Sequence, residues 1–334
     1  MKNCWLALLL LIAATSAGAA DALDPAAVRA AADYSASHRG TSFLVVQNGR
    51  TLLERNAKTP HRIFSGTKAF WNLAALAAAE DGLLSLDERV ADTIPEWRSD
   101  PLKSQVTIRQ LLDFSCALEP VFSLHETRPD DRDAIAIRAS IVADPGTAFI
   151  YGPSSLQVFH QLLERKLRSE SPTHYLERRV LHRLGLRSQR YLPDRADNPL
   201  LATGWTLTAR EWSKLGRLVL AEGSPVISAN SLALCWRGSP ANRAFSLGWW
   251  NNRAAPSGGE FDFERTLDRK WQRQDWRDAC ICRDAPNDLV ACIGSENQRL
   301  YVIPSLRLIV VRQGNGGSFS DAAFLRLLLN RQRG

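Results

Sequence analysis

An α+β fold, with an antiparallel β-sheet flanked by helices and a mainly helical lobe, is predicted by three features of the sequence. Two strand-like runs near the N-terminus flank Asn48-Gly49, the dipeptide best suited to a two-residue hairpin turn. The stretch from roughly residue 83 to residue 246 reads with helical periodicity. Apolar and β-branched runs then return at Leu247–Asn251, Leu289–Ile293, Arg299–Ile303 and Arg307–Arg312. Strand pair, helices, strands and a last helix, in that order, predict one sheet built from residues 40–56 and 247–313 within a single domain spanning 21–334.

The elements follow in chain order. Lys2, an apolar run from Trp5 to Ala14 and the small residues Ala17-Gly18-Ala19-Ala20 predict a cleavable secretory signal over residues 1–20. That run is too short to cross a bilayer, so a periplasmic or secreted protein without stable membrane insertion is expected. Asp24 to His38 reads as a helix, with Pro25 in its first turn and Gly40 just beyond its end. Strands Ser42–Gln47 and Thr51–Arg55 come next, then a buried helix from Ser65 to about Glu80, closed by Asp81-Gly82. Thr107–Leu112 and Ser154–Leu167 are helical, and Thr208-Ala209-Arg210-Glu211 is a capping box opening a helix that ends near Glu222. Residues 253–288 form a polar, Arg-rich insertion between two strands, opened by Pro256-Ser257-Gly258-Gly259. A surface excursion able to edge a pocket is expected there. Phe319–Asn330 closes the chain as a helix.

Composition excludes several classes. The 334 residues are 45% hydrophobic and 23% charged, ordinary globular values that exclude a disordered chain. The net charge of +7 is dispersed, with no Lys/Arg block longer than two, so no nucleic-acid partner is expected. Removal of the signal leaves Cys116, Cys235, Cys280, Cys282 and Cys292, an odd set for an oxidising compartment. A bridge from Cys292 to Cys280 or Cys282 is open. A zinc site is the alternative, disfavoured because Cys-x-Cys lacks a nearby His.

Ser65 and Lys68 carry the first candidate chemistry. Three residues apart at the mouth of a helix, they share one face, and the lysine amine can reach the serine hydroxyl. Burial lowers a lysine's pKa, so Lys68 could take the serine proton while the helix N-terminus favours the charged intermediate. The pattern occurs once here and arises by chance about once in a chain of this length; its setting before Ala69–Ala79, apolar except for Asn72, gives it weight. Tyr151 follows the turn Asp144-Pro145-Gly146 and directly precedes a helix; its phenol, its pKa lowered by the lysine, could shuttle protons. Gly294 allows close approach of a backbone or a ligand, and the amides of Ser295 and Ser65 form a sensible oxyanion pair, with Gly294 on the substrate side. No phosphate loop, His-Glu-x-x-His or Gly-x-Ser-x-Gly is present, and no cofactor or metal is expected. His61 is expected outside the pocket, and Trp205, Trp249 and Trp250 are expected to pack rather than bind.

Together these segments resemble the serine β-lactamase and penicillin-binding superfamily, nearest to class C β-lactamase-like esterases and amide hydrolases. The resemblance spans most of the chain after the signal. It includes Phe64-Ser65-Gly66-Thr67-Lys68, Thr107–Leu112, Pro145-Gly146-Thr147, Leu184-Gly185-Leu186, Gly204–Trp212, Gln298–Pro304 and Leu308–Val311. It implies a β-lactamase/transpeptidase-like fold with the site between lobe and sheet. There Ser65 would be acylated, with Lys68 and Tyr151 exchanging protons. Two departures bear on substrate. The family's Tyr-x-Asn is Tyr151-Gly152-Pro153 here, and its Lys or His before Thr/Ser-Gly becomes Cys292-Ile293-Gly294. No basic side chain is left to pair a substrate carboxylate, which disfavours β-lactams and D-Ala-D-Ala peptides. An ester or amide with an uncharged acyl part is expected instead; the rival reading is a catalytically impaired protein that binds a peptide or cell-wall ligand.

Overall fold

The computed structural model describes residues 22–267 and 276–331. The signal expected over residues 1–20 and the middle of the insertion, residues 268–275, lie outside the described residues. Helix α1 (Pro25–Ser37) begins where Asp24 and Pro25 indicated, the Asp24 carboxylate accepting the Ala26 amide at 2.9 Å. Strand β1 (Gly40–Gln47) turns at Asn48-Gly49, both with positive φ, into β2 (Arg50–Arg55).

The remaining strands of the main sheet are β3 (Phe245–Ser246), β4 (Trp249–Asn251), β5 (Val290–Gly294), β6 (Gln298–Ile303) and β7 (Leu308–Gly314). They form a seven-stranded sheet ordered β2-β1-β7-β6-β5-β4-β3, antiparallel at every pairing. The N- and C-terminal strands meet in the middle, Val45 opposite Val310, as the order of elements predicted.

Both faces of the central strands are buried, which explains why β6 and β7 read as unbroken runs rather than alternating ones. The period-two rule sorts their residues. Phe43 and Tyr301 point to the face covered by α1 and the closing helix α5 (Asp321–Leu328), where both rings meet Phe324. Ile309 points to the opposite face, where α4 (Ala209–Leu220) lies so close that a Cβ on Gly216 would stand 2.7 Å from Ile309 Cγ2. The Thr208 capping box forms as expected, but the helix it opens belongs to the sheet's cover rather than to the helical lobe assigned through residue 246.

Helix α2 (Lys68–Glu80) is buried along its length from Lys68 to Ala78. Helix α3 (Ser154–Lys166) holds the lobe together with the helices Ile108–Leu112 and Arg132–Arg138. The strand expected at Leu247–Asn251 is present over Trp249–Asn251, but Leu247 and Gly248 form the turn of a hairpin with Phe245–Ser246. The buried Asp113 carboxylate accepts Ser246 Oγ at 2.8 Å and the Leu247 amide at 3.0 Å, stabilising Leu247 and Gly248 at positive φ. A Cβ on Gly248 would stand 2.9 Å from Ala69 Cα, so this turn fixes how closely the sheet approaches α2.

All five described cysteines are buried free thiols, so the bridge considered for Cys292 does not form. Cys292 lies on β5 against the reactive segment, its thiol donating to Gly66 O at 3.4 Å, whereas Cys282 approaches Ala322 O. Cys282 does cluster with Glu260 and Asp284, but the Arg326 guanidinium pairs with both carboxylates and supplies the positive charge there.

Candidate active site

Ser65 lies in a 3-10 turn, Phe64–Thr67, that runs directly into α2, so the reactive helix begins one turn later than its periodicity suggested. Phe64 holds φ +46°, a left-handed conformation costing a bulky residue about 1–3 kcal/mol. The surroundings enforce it. The Ile63 amide donates to Trp205 O, the Gly66 amide donates to Ile63 O, and a Cβ on Gly66 would meet Trp212 Cζ2 at 2.6 Å. Ser65 is thereby presented at the surface of a cavity of about 150 Å³, lined also by Lys68, Phe122, His125, Tyr151, Gly152, Phe263, Glu264 and Ser295.

Lys68 Nζ donates to Ser65 Oγ and to Ala202 O, each at 2.8 Å. Its side chain is buried, and among the described residues no carboxylate forms an ion pair with it. Burial without a counter-charge pulls its pKa down to about 7. Nζ lies 4.8 Å from the centre of the Tyr151 ring. Burial pushes the Tyr151 phenol upward, and the Ser65 hydroxyl beside it offsets only part of that rise. The expected lowering of Tyr151 by the lysine therefore does not occur: desolvation of the buried phenol dominates its titration. His125 is held down at about 4, chiefly by burial, with Lys68 and Arg132 adding to it, so its ring is neutral at neutral pH.

Ser65, Lys68, Tyr151 and Ser295 are thus brought together. Gly294 itself does not line the cavity, although Ser295 beside it does. A Cβ on Gly294 would lie 2.1 Å from Ile63 O, so the close approach that glycine permits is to the reactive backbone, which sets Ser295 across from Ser65. We expect Gly294→Ala to force these segments apart and lower kcat/KM about a hundredfold, measured on an ester substrate with folding checked by near-UV circular dichroism; unchanged activity would refute the spacer role.

The turn after Gly294 is clamped from behind. Arg299, fully buried and paired with Asp321, donates from Nη1 to Gly294 O at 3.0 Å and from Nη2 to Asn297 Oδ1 at 3.3 Å. Arg312 Nη1 donates to Asn297 O at 2.6 Å.

Pro153 is buried at the N-cap of α3, and no side-chain amide lines the cavity among the described residues. Cys292 lies behind Ser65 and leaves the cavity without a basic group at that position. His61 pairs with Leu207 outside the cavity, and Trp205, Trp249 and Trp250 are core residues. Trp250 belongs to an aromatic cluster with Phe149, Phe245, Phe261, Phe263 and Trp276 that also includes the Tyr151 ring. Sequence reasoning missed Phe122, His125, Phe263 and Glu264. The last two come from the insertion, whose expected position at the pocket edge was the only signal.

A beta-lactamase family profile matches residues 26–316. Protein flp of Staphylococcus aureus (strain NCTC 8325 / PS 47) is 32% identical over 88 residues, covering 22% of this chain and 18% of flp. The chain therefore matches less than a fifth of the length of that curated relative. A class C beta lactamase from Rhodobacter sphaeroides superposes with a TM-score of 0.67 at 21% identity, covering 92% of this chain and 99% of that one. A family VIII carboxylesterase superposes at 0.63 with 16% identity, covering 93% and 98%. At these identities the structural likeness is one of fold, while the profile spans nearly all of the described chain: it belongs to the beta-lactamase family.

Proposed function

We propose that the protein is an exported hydrolase that cleaves an ester or amide through an acyl-enzyme on Ser65. The observation that carries this reading is the 2.8 Å contact between Ser65 Oγ and a buried, carboxylate-free Lys68 whose pKa lies at about 7. Neutral Lys68 takes the Ser65 proton as Oγ bonds to the substrate carbonyl carbon. The negative oxygen faces the amides of Ser65 and Ser295. As the bond to the leaving group breaks, Tyr151 passes its proton to the departing oxygen or nitrogen and is reprotonated by Lys68. Water then attacks the acyl carbon, Lys68 again receiving its proton, and as the bond to Ser65 Oγ breaks Lys68 returns that proton to Oγ, releasing the acid product.

Substrate class follows from what the cavity lacks. A substrate carboxylate would find no basic partner where Cys292 is buried, and loss of such a charge-assisted contact costs about 1.5–3 kcal/mol. Intact mass after incubation with a fluorophosphonate probe tests the nucleophile: one adduct on the wild type and none on Ser65→Ala is expected. No adduct on folded wild-type protein would favour a binding protein with a damaged site. Turnover of short-chain nitrophenyl esters is expected to exceed that of a cephalosporin by about tenfold or more, and the reverse order would overturn the substrate argument.

A further inference from the structure

The Glu264 carboxylate is a charged wall of the catalytic cavity that the hydrolytic steps leave unused. Phe263 and Glu264 open the short helix Phe263–Leu267 of the insertion, and both line the cavity with Ser65. Glu264 Oε1 accepts the Asn297 amide at 2.9 Å and lies 3.5 Å from Arg299 Nη1, which anchors the carboxylate with about a quarter of its side chain exposed, 28%. Arg299 is shared between two carboxylates: Asp321 engages its guanidinium at 2.7 and 3.1 Å, and the longer 3.5 Å contact to Glu264 opposes only part of the rise that burial gives the Glu264 carboxyl. Arg312 is directed at the carbonyls of Asn297 and His38. Among the described residues Oε2 has no hydrogen-bond partner.

The rest of the lining sets the sign of the site. His125 and Tyr151 are neutral at neutral pH, and Lys68 is half-neutral and committed to Ser65. The rings of Phe122, Tyr151 and Phe263 complete the wall. A fixed carboxylate oxygen among aromatic rings suits an organic ammonium, which gains a charge-assisted hydrogen bond from one and quadrupole attraction from the others.

We propose that Glu264 selects substrates whose acyl part carries an ammonium group. The proposal rests on the Ser65 acyl-enzyme reading and deepens it, turning the absence of a carboxylate partner into a preference for the opposite charge.

Three nitrophenyl esters of equal acyl length, ending in methyl, ammonium or carboxylate, provide the test. In the wild type, kcat/KM for the ammonium ester should exceed that for the methyl ester about tenfold, with the carboxylate ester slowest. In Glu264→Gln the ammonium-to-methyl ratio should fall to about one, while the amide oxygen can still accept the Asn297 N–H. A ratio near one in the wild type, or a preference that survives Glu264→Gln, overturns the proposal. If folded protein cleaves none of the three, the Ser65 reading fails instead, and calorimetric titration of Ser65→Ala with pentylammonium decides this one. Binding that is lost in Ser65→Ala/Glu264→Gln supports it, and absence of binding overturns it.

Discussion

Lys68→Met should lower kcat on a short-chain nitrophenyl ester about a thousandfold, with a much smaller change in KM. Methionine fills a similar volume without the amine, so Ser65 keeps its place and loses its base. The same assignment dictates the pH profile. Lys68 must be neutral to accept a proton, and its pKa is about 7, so wild-type kcat/KM should rise with pH and reach half its plateau near neutrality. His125 is at about 4, Tyr151 and the Cys292 thiol are pushed upward by burial, and Glu264, also raised by burial, is removed from the profile by repeating it in Glu264→Gln, where the half-point should stay near neutrality. Tyr151→Phe should therefore lose activity while keeping the same half-point. A flat wild-type profile around neutrality, or a Lys68→Met enzyme retaining more than a tenth of kcat, would refute the role.

How much of this was legible depends on whether the cause was local. Ser65 and Lys68 meet within one turn of chain, and the Thr208 capping box and the Asn48-Gly49 hairpin are set by neighbouring residues, so all of them were readable. The Leu247 hairpin was not, because its conformation is held by Asp113, distant in sequence. Gly294 gave a true signal with two meanings: glycine permits the approach of a ligand or of a backbone, and only the contact with Ile63 O distinguishes them. Tyr151 stands at the cavity with Ser65 and Lys68, but its acidity was misjudged, since burying the phenol raises its pKa by more than its neighbours lower it. Glu264 and His125 lie in segments without periodicity, and it is Arg299 and the Asn297 amide, behind the reactive turn, that hold Glu264 at the cavity.

Burial of Lys68 also makes a prediction about folding. Its pKa falls from 10.5 to about 7 on burial, so between those values the unfolded chain holds a proton that the folded chain does not. Raising the pH through this window therefore favours the folded state, and the cost of the buried charge is fully present below about pH 7. Lys68→Met has no such term, and subtracting its stability from that of the wild type cancels other titrating groups, including the buried Asp113 at about 6. The difference in unfolding free energy should shift toward the wild type by about 3 kcal/mol between about pH 6 and pH 9, read from guanidinium unfolding at the two values. Below neutrality the methionine variant should gain on the wild type, and it should do so while nearly inactive. A difference that stays constant with pH would mean that Lys68 keeps its ordinary pKa, and the base would then have to be sought elsewhere. If the shift is found, the free energy given up by the fold at Lys68 is what makes the amine basic at neutral pH, and stability and activity at this site are opposed by one physical cause.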